Sequence, residues 1–293
     1  MAASALLRLV RWPGVLTAAA DSAAVSVLFF CTPAKTTAVT AAAALLYAGG
    51  VVLNDAADAA RDRTLHPDRP VPSGAVGRGA ACAFGLFLLA SGIGAALFAG
   101  TASFLAYAGV AAAVLAYDLL LKRWGPAGVL GMGLCRGGSV LAAALSSPAY
   151  EETLRAVPSR ALLIPLPWLL MGAAVTAASL MEDSPRRRAL LPAAAAGILL
   201  PTALAFPLLA AGDQPGVGFA IAPAAFLTFA LGRSLVAARP EGGPPAAAVV
   251  REGVFGFLLL DAAVLALRGH GPESGAALAL WAGLRLLLAD RRS

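Results

Sequence analysis

Charge is what this sequence has least of. Only 13% of its 293 residues are Asp, Glu, Lys or Arg, against 59% hydrophobic residues and a mean hydropathy of +0.80. A water-soluble globule of this size has no interior large enough to hide so much apolar surface, so the bilayer is the natural solvent. Histidine and cysteine are also scarce. His66 and His270 are far apart and sit in polar connections, which leaves little support for a histidine-based metal site. Cys31, Cys82 and Cys135 stand singly, without C-x-x-C spacing or an even count to pair, and read as small buried hydrophobes. A concentrated basic stripe is missing too. The net charge of +6 and pI near 9.8 come from residues scattered through short connections, which argues against nucleic acid and for membrane orientation. Nothing resembles a linker between folded units, so residues 1–293 read as one domain.

What is present is a succession of apolar runs, at about 14–32, 37–53, 79–100, 102–121, 126–147, 161–181, 189–212, 217–236, 249–267 and 274–289. A spanning helix needs about 20 apolar residues, because lipid offers no partner to a free backbone amide or carbonyl. The expected fold is therefore all-α, a polytopic integral membrane bundle of nine transmembrane helices, or ten if the last run also spans. The 31 glycines and the heavy alanine content suit close helix approach in lipid. Arg8 and Arg11 precede the first run as in a signal peptide, but Asp21 interrupts it and no convincing cleavage site follows, so it reads as a retained first helix.

With the N-terminus in the cytoplasm, the even-numbered connections hold Arg61, Arg63, Arg69, Arg78, Lys122, Arg123, Arg186, Arg187, Arg188, Arg233, Arg239 and Arg251. The odd ones hold only Lys35, Arg155, Arg160 and Arg268. This positive-inside bias places the protein in the cell membrane with the connections after helices 2, 4 and 6 on the cytoplasmic face, where their chemistry can converge. The four-crossing interval between the polar connections after helices 2 and 6 hints at a duplicated four-helix unit, without a residue-level repeat.

The second run ends in Asn54-Asp55-Ala56-Ala57-Asp58-Ala59-Ala60-Arg61-Asp62-Arg63, followed by His66-Pro67-Asp68-Arg69-Pro70-Val71-Pro72-Ser73-Gly74. Asn54, Asp58 and Asp62 recur every four residues, so on a helix they share a face, and Asp55 lies beside it. Acids at a helix C-terminus repel one another and meet the negative end of the macrodipole. Something positive belongs there, and magnesium fits best, being commonly held by one or two carboxylates plus substrate phosphates. The alternative is a solvated loop in which Asp and Arg alternate.

The whole string resembles the N-D-x-x-D-x-x-x-D signature, with its trailing proline-arginine-proline segment, of the UbiA-type intramembrane prenyltransferases. The resemblance implies that Asn54, Asp55, Asp58 and Asp62 bind Mg2+ and the diphosphate of an allylic prenyl donor. Arg11-Trp12-Pro13 and Asp21 are similar to the family's opening arginine-proline and buried aspartate. Tyr117-Asp118 before Lys122-Arg123 looks like its Tyr-to-Lys-Arg segment, although an interfacial aromatic with positive-inside anchors reads the same way. Arg136, in Gly131-Met132-Gly133-Leu134-Cys135-Arg136-Gly137-Gly138-Ser139, falls mid-membrane and should meet an anion, either a phosphate or a structural partner such as Asp21 or Asp261. That segment and Leu258-Leu259-Leu260-Asp261-Ala262 also resemble an EboC-like branch of the superfamily.

One departure stands out. Where family members carry a second aspartate-rich motif, this chain reads Ser179-Leu180-Met181-Glu182-Asp183-Ser184-Pro185-Arg186, leaving Glu182 and Asp183 either to supply a reduced second metal site or to be neutralised on the surface by Arg186 to Arg188. The resemblance implies a Mg2+-dependent prenyltransferase joining a prenyl diphosphate to an aromatic or other lipophilic acceptor within membrane lipid. Its catalytic set is Asp58, Asp62, Arg136 and Lys122, and its substrate-binding set Asp21, Asn54, Arg61, Arg69, Tyr117, Arg123 and Ser139. Two other classes stay open: a non-catalytic prenyl-lipid binder or transport component, and an ion or solute transporter built on Asp21, Arg136 and Asp261.

Overall fold

Every apolar run folds into a helix, and no strand occurs among the described residues. The structure, a computed structural model, describes residues 3–181, 190–209, 217–236 and 245–289. The chain enters through a short helix α1 (Ala3–Leu9) and turns at Arg11 into α2 (Trp12–Leu28). A 33-residue α3 (Pro33–Leu65) follows, capped by Thr32 and started by Pro33. Next come α4 (Arg78–Ala96), α5 (Thr101–Leu119), α6 (Gly125–Ala144), α7 (Pro148–Ala156), α8 (Pro158–Leu163) and α9 (Leu166–Ser179). The last four are α10 (Leu191–Leu209), α11 (Val217–Val236), α12 (Pro245–Leu267) and α13 (Gly271–Ala289).

Five helical stretches among the described residues are long and apolar enough to cross a membrane: Pro33–Leu65, Arg78–Ala99, Thr101–Leu119, Gly125–Ala144 and Ala161–Ser179. Shorter apolar stretches of α2 and α10 pack with them, while that of α11 packs against α10 and α12. Leu86, Phe87, Phe98, Leu105, Phe229 and Leu287 project from the outside, as lipid-facing side chains do where there is no water to avoid. By contrast, α12 is buried on all sides from residue 255 to 267, where Asp261 is its one charged side chain, which makes it the central helix. It touches α2, α9, α10, α11 and α13.

The connection expected between residues 147 and 161 contains α7, which is too short and too polar to register as an apolar run. Ser147 caps it, accepting from the Ala149 amide at 3.1 Å, and the buried Tyr150 hydroxyl donates to the Ala161 carbonyl at 2.9 Å. Tyr150 also meets the Phe29 ring edge-on, tying this surface helix to the end of α2.

Glycine sets the closest helix crossings. A Cβ on Gly49 of α3 would stand 2.9 Å from the Gly85 carbonyl oxygen of α4. One on Gly133 of α6 would stand 2.7 Å from the Leu169 carbonyl oxygen of α9. Backbone cannot yield as a flexible side chain does, so both contacts demand hydrogen in place of a methyl. Gly133→Val is expected to cost about 1–3 kcal/mol through overpacking, whereas Gly94→Ala, with nothing within 4 Å of the new methyl, should be neutral. Thermal unfolding in detergent checks both, and equal melting temperatures for the two variants would contradict this packing.

Candidate functional site

At 1.5 Å per residue α3 is about 50 Å long, well beyond the roughly 30 Å hydrocarbon core, so one end can carry polar groups without burying them in lipid. That end is the stretch from Asn54 to Leu65, and Pro67 follows just past its C-cap at His66. With about 100° between successive residues, Asn54, Asp58, Asp62 and Asp55 fan across roughly 100° of the helix surface in that angular order. The fan has two edges, and each meets its own cations.

On the Asn54–Asp58 edge the partner is Lys122, placed by the single 3-10 turn Leu121–Arg123 between α5 and α6. Its Nζ donates to Asn54 Oδ1 at 3.0 Å and pairs with Asp58 Oδ1 at 2.9 Å. Asp118, one turn earlier on α5, brings Oδ1 to 3.8 Å from the same ammonium. Tyr117 is half-buried, resting against Gly131 of α6 and close enough to Asp58 and Asp118 to feel their charges. Arg123 is exposed at the rim, and Arg61 is exposed on the outer flank of α3.

On the Asp62–Asp55 edge the partners come from either side of α3. Arg11 reaches Asp55 Oδ1 at 2.6 Å from a left-handed backbone (φ 47°, ψ 55°) at the start of α2. A non-glycine residue in that region carries strain, which the part-buried ion pair helps to hold. Arg69 pairs with Asp62 from the loop after α3. That loop is folded back: Val76 N donates to Pro70 O at 2.9 Å, and Val71 and Val76 pack with Leu9, Val52, Ala56, Ala59 and Ala81. Arg78 Nε donates to the Ala56 carbonyl at 3.0 Å, covering the helix beside the acids.

A second ionic group lies deeper. Arg136, about 16 Å along α6 from Gly125, pairs through Nε with Asp21 Oδ2 of α2 at 2.5 Å. Its NH2 group donates to Thr17 Oγ1 at 2.8 Å, and its Cζ sits 3.9 Å from the centre of the Phe257 ring of α12. Asp261 of α12 adjoins Asp21 and accepts from Trp168 Nε1 of α9 at 2.9 Å. Between the two anions the sequence left open, phosphate or a structural carboxylate, the geometry supplies Asp21. Ser139 is apart from both groups, next to the Tyr107 hydroxyl, which meets Ser22 and donates to the Val39 carbonyl.

The structure thus brings Asn54, Asp55, Asp58, Asp62, Arg69, Lys122 and Tyr117 to one end of the bundle and joins Asp21 to Arg136 below them. Glu182 and Asp183 lie outside the described residues. Among the described residues no group of three or more acidic, histidine or cysteine side chains is placed to hold a metal ion by itself. The donors nevertheless fit magnesium, which usually takes one or two carboxylates and completes its octahedron with water and substrate phosphate. Asn54 and Asp58 offer hard oxygens on one face, with Asp62 and Asp55 beside them. Sequence reasoning gave no part to Asp118, Thr17 or Trp168; an acid four residues before Lys122 was the one available signal.

Because Arg136 ties α2, α6 and α12 together inside the bundle, Arg136→Met should destabilise by about 3–5 kcal/mol, the scale for leaving a buried carboxylate unpaired. Adding Asp21→Asn should recover part of that loss. Melting temperatures for the single and double variants check the coupling, and strictly additive losses would contradict it.

Comparison with known proteins agrees with this architecture. The sequence model of the UbiA prenyltransferase family matches residues 12–250. A solved digeranylgeranylglyceryl phosphate synthase superposes with a TM-score of 0.59 at 18% identity, covering 92% of this chain and 98% of that one. A UbiA homologue from Archaeoglobus fulgidus bound to GPP and Mg2+ gives 0.60 at 16% identity, with 90% and 99% covered. A UbiA homologue from Aeropyrum pernix K1 gives 0.56 at 22%, with 95% and 98% covered. Locally the likeness is closer: 47 residues are 60% identical to the digeranylgeranylglyceryl phosphate synthase of Methanoregula boonei, a stretch spanning 15% of this chain and 17% of that protein. With the family match running over most of its length and the same helical bundle beneath it, this chain belongs to the UbiA prenyltransferase family.

Proposed function

We propose that this protein is a Mg2+-dependent intramembrane prenyltransferase, moving a prenyl group from an allylic prenyl diphosphate to an aromatic or other lipophilic acceptor. The observation that carries this reading is the convergence of Asn54, Asp58 and Lys122 within 3.0 Å, at the end of a bundle of mostly apolar helices. A diphosphate needs cations and the prenyl tail needs an oily wall, and both lie side by side here. The solved relative bound to GPP and Mg2+ supports the same pairing of ligand and metal.

Asn54, Asp58 and Asp62 would hold the ion, with Asp55 beside them and Glu182 and Asp183 as the candidates for a second. When bound, magnesium supplies Lewis-acid neutralisation of the departing diphosphate. The chain's own contribution is preorganised positive charge. Lys122 leaves its ion pair with Asp58 to donate to a phosphate oxygen, and Arg69, Arg61 and Arg123 lie around the rim to receive the rest of the anion. Tyr117 offers a hydroxyl next to the same acids. As the allylic carbon–oxygen bond breaks, its electron pair leaves with the diphosphate, and a nucleophilic atom of the acceptor forms the new bond to carbon and releases a proton. The helix walls exclude water, which would otherwise capture the cation. Arg136, paired with Asp21, and Ser139 lie deeper in the bundle, away from the acidic turn.

The positive-inside bias and the basic residues around the acidic turn support a cytoplasmic site in the cell membrane, from which a soluble diphosphate head enters while the tail stays in lipid. Purified protein in nanodiscs, given geranylgeranyl diphosphate, Mg2+ and a membrane lipid extract as acceptor source, should release diphosphate. Asp58→Ala should slow that release at least about a hundredfold, the scale of losing one electrostatic stabiliser. Unchanged turnover in the folded variant would reject the mechanism, whereas wild-type protein that binds the diphosphate without consuming it would identify a carrier instead.

A further inference from the structure

Three oxygen-bearing side chains surround one ammonium in the site. Lys122 Nζ lies 3.0 Å from Asn54 Oδ1, 2.9 Å from Asp58 Oδ1 and 3.8 Å from Asp118 Oδ1. The first two belong to the acidic turn of α3. Asp118 comes from α5, outside that turn, and its environment is unusual. Its side chain is only 4% exposed, and neither carboxylate oxygen has a hydrogen-bond partner. A buried carboxylate without donors is costly, and an ammonium 3.8 Å away and already shared with Asp58 offsets only part of that cost.

Charge counting gives the deficit a sign. Asp58 and Asp118 bring two negative charges to the cradle and Lys122 one positive, while the neighbouring Asp55 and Asp62 are committed to Arg11 and Arg69. A divalent cation at the ammonium's position would balance the two acids and satisfy the oxygens of Asp118. The displaced Lys122 would then face the diphosphate. Asp118 as a mere tether for Lys122 would call for a close hydrogen-bonded pair, which the fold does not make.

We infer that Asp118 is a further oxygen ligand of the divalent-cation site, beside Asn54 and Asp58, and that the Lys122 ammonium stands in for the cation when none is bound. This rests on the prenyltransferase reading above, since the site it extends is the one assigned there to Mg2+. It also supplies a carboxylate from α5 in a chain whose second acidic motif is reduced.

Binding of Mn2+ alone to the full-length protein, followed by loss of the free-ion electron paramagnetic resonance signal, tests it without turnover. Asp118→Asn should weaken Mn2+ binding about tenfold or more, as Asp58→Asn does, and Lys122→Met should tighten it by a similar factor by removing the competing ammonium. The Asp118→Asn change is repeated in the Lys122→Met background, where it removes an uncompensated charge and so favours folding. Asp118→Asn binding Mn2+ as well as its parent in both backgrounds, while Asp58→Asn loses it, would overturn this inference and leave the prenyltransferase reading standing. Binding by neither wild type nor Lys122→Met would also overturn this inference, and absence of binding when a prenyl diphosphate is added as well would overturn both.

Discussion

A carboxylate enclosed by helices must be met by a cation, and this bundle is arranged around that requirement. The acidic turn at the end of α3 is the largest concentration of negative charge among the described residues. Its partners come from three separate parts of the chain: Arg11 from the start of α2, Arg69 from the loop after α3, and Lys122 from the turn between α5 and α6. Satisfying them pulls those segments onto one end of the molecule. The same rule holds deeper down, where Arg136 joins Asp21 while Asp261 takes the indole N–H of Trp168. In each case a polar contact fixes which helices neighbour one another, while the glycine crossings fix how closely they approach.

Much of this was legible in the sequence, for reasons that differ by level. The helices could be read from apolar runs because lipid enforces length and leaves little room for polar interruption. The acidic turn was legible because an i, i+4 repeat of oxygen side chains has few uses. What could not be read was pairing. Nothing linear tells Asp55 that it faces Arg11, or separates the Asn54–Asp58 edge from the Asp62–Asp55 edge, since that split depends on which neighbouring helix brings a cation to which side. Asp118 escaped for the same reason, as its burial arises from contact between α5 and α3. The central position of α12 was harder to read, because apart from Asp261 its apolar run from 255 to 267 looks the same facing lipid as facing other helices. α7 was missed because nine mixed residues carry too short a pattern.

The proposed function follows from how the two ends of a prenyl diphosphate differ. One end is an oily tail that gains nothing from leaving the bilayer, and the other a multiply charged anion that cannot enter it. A bundle of mostly apolar helices with a mouth lined by oxygens and cations accommodates both without moving either across a dielectric boundary. The ion pairs there offset most, though not all, of the acids' charge in the empty protein, so an arriving metal and diphosphate exchange partners instead of meeting bare charge. Such exchange needs side chains that can swing. Lys122, with a flexible four-carbon stem and a point charge, suits it better than the planar guanidinium of Arg136, which is held by Asp21, Thr17 and Phe257.

The most direct measurement of the central claim is an experimental structure with Mn2+ and an unreactive thiolodiphosphate analogue of a prenyl donor, locating the ion by its anomalous scattering. The account predicts a peak about 2.1 Å from an Asp58 carboxylate oxygen, bridging to the diphosphate, with the Lys122 ammonium moved off Asp58. A diphosphate bound elsewhere in the bundle, with the Lys122–Asp58 pair intact and no ion at the α3 turn, would contradict it.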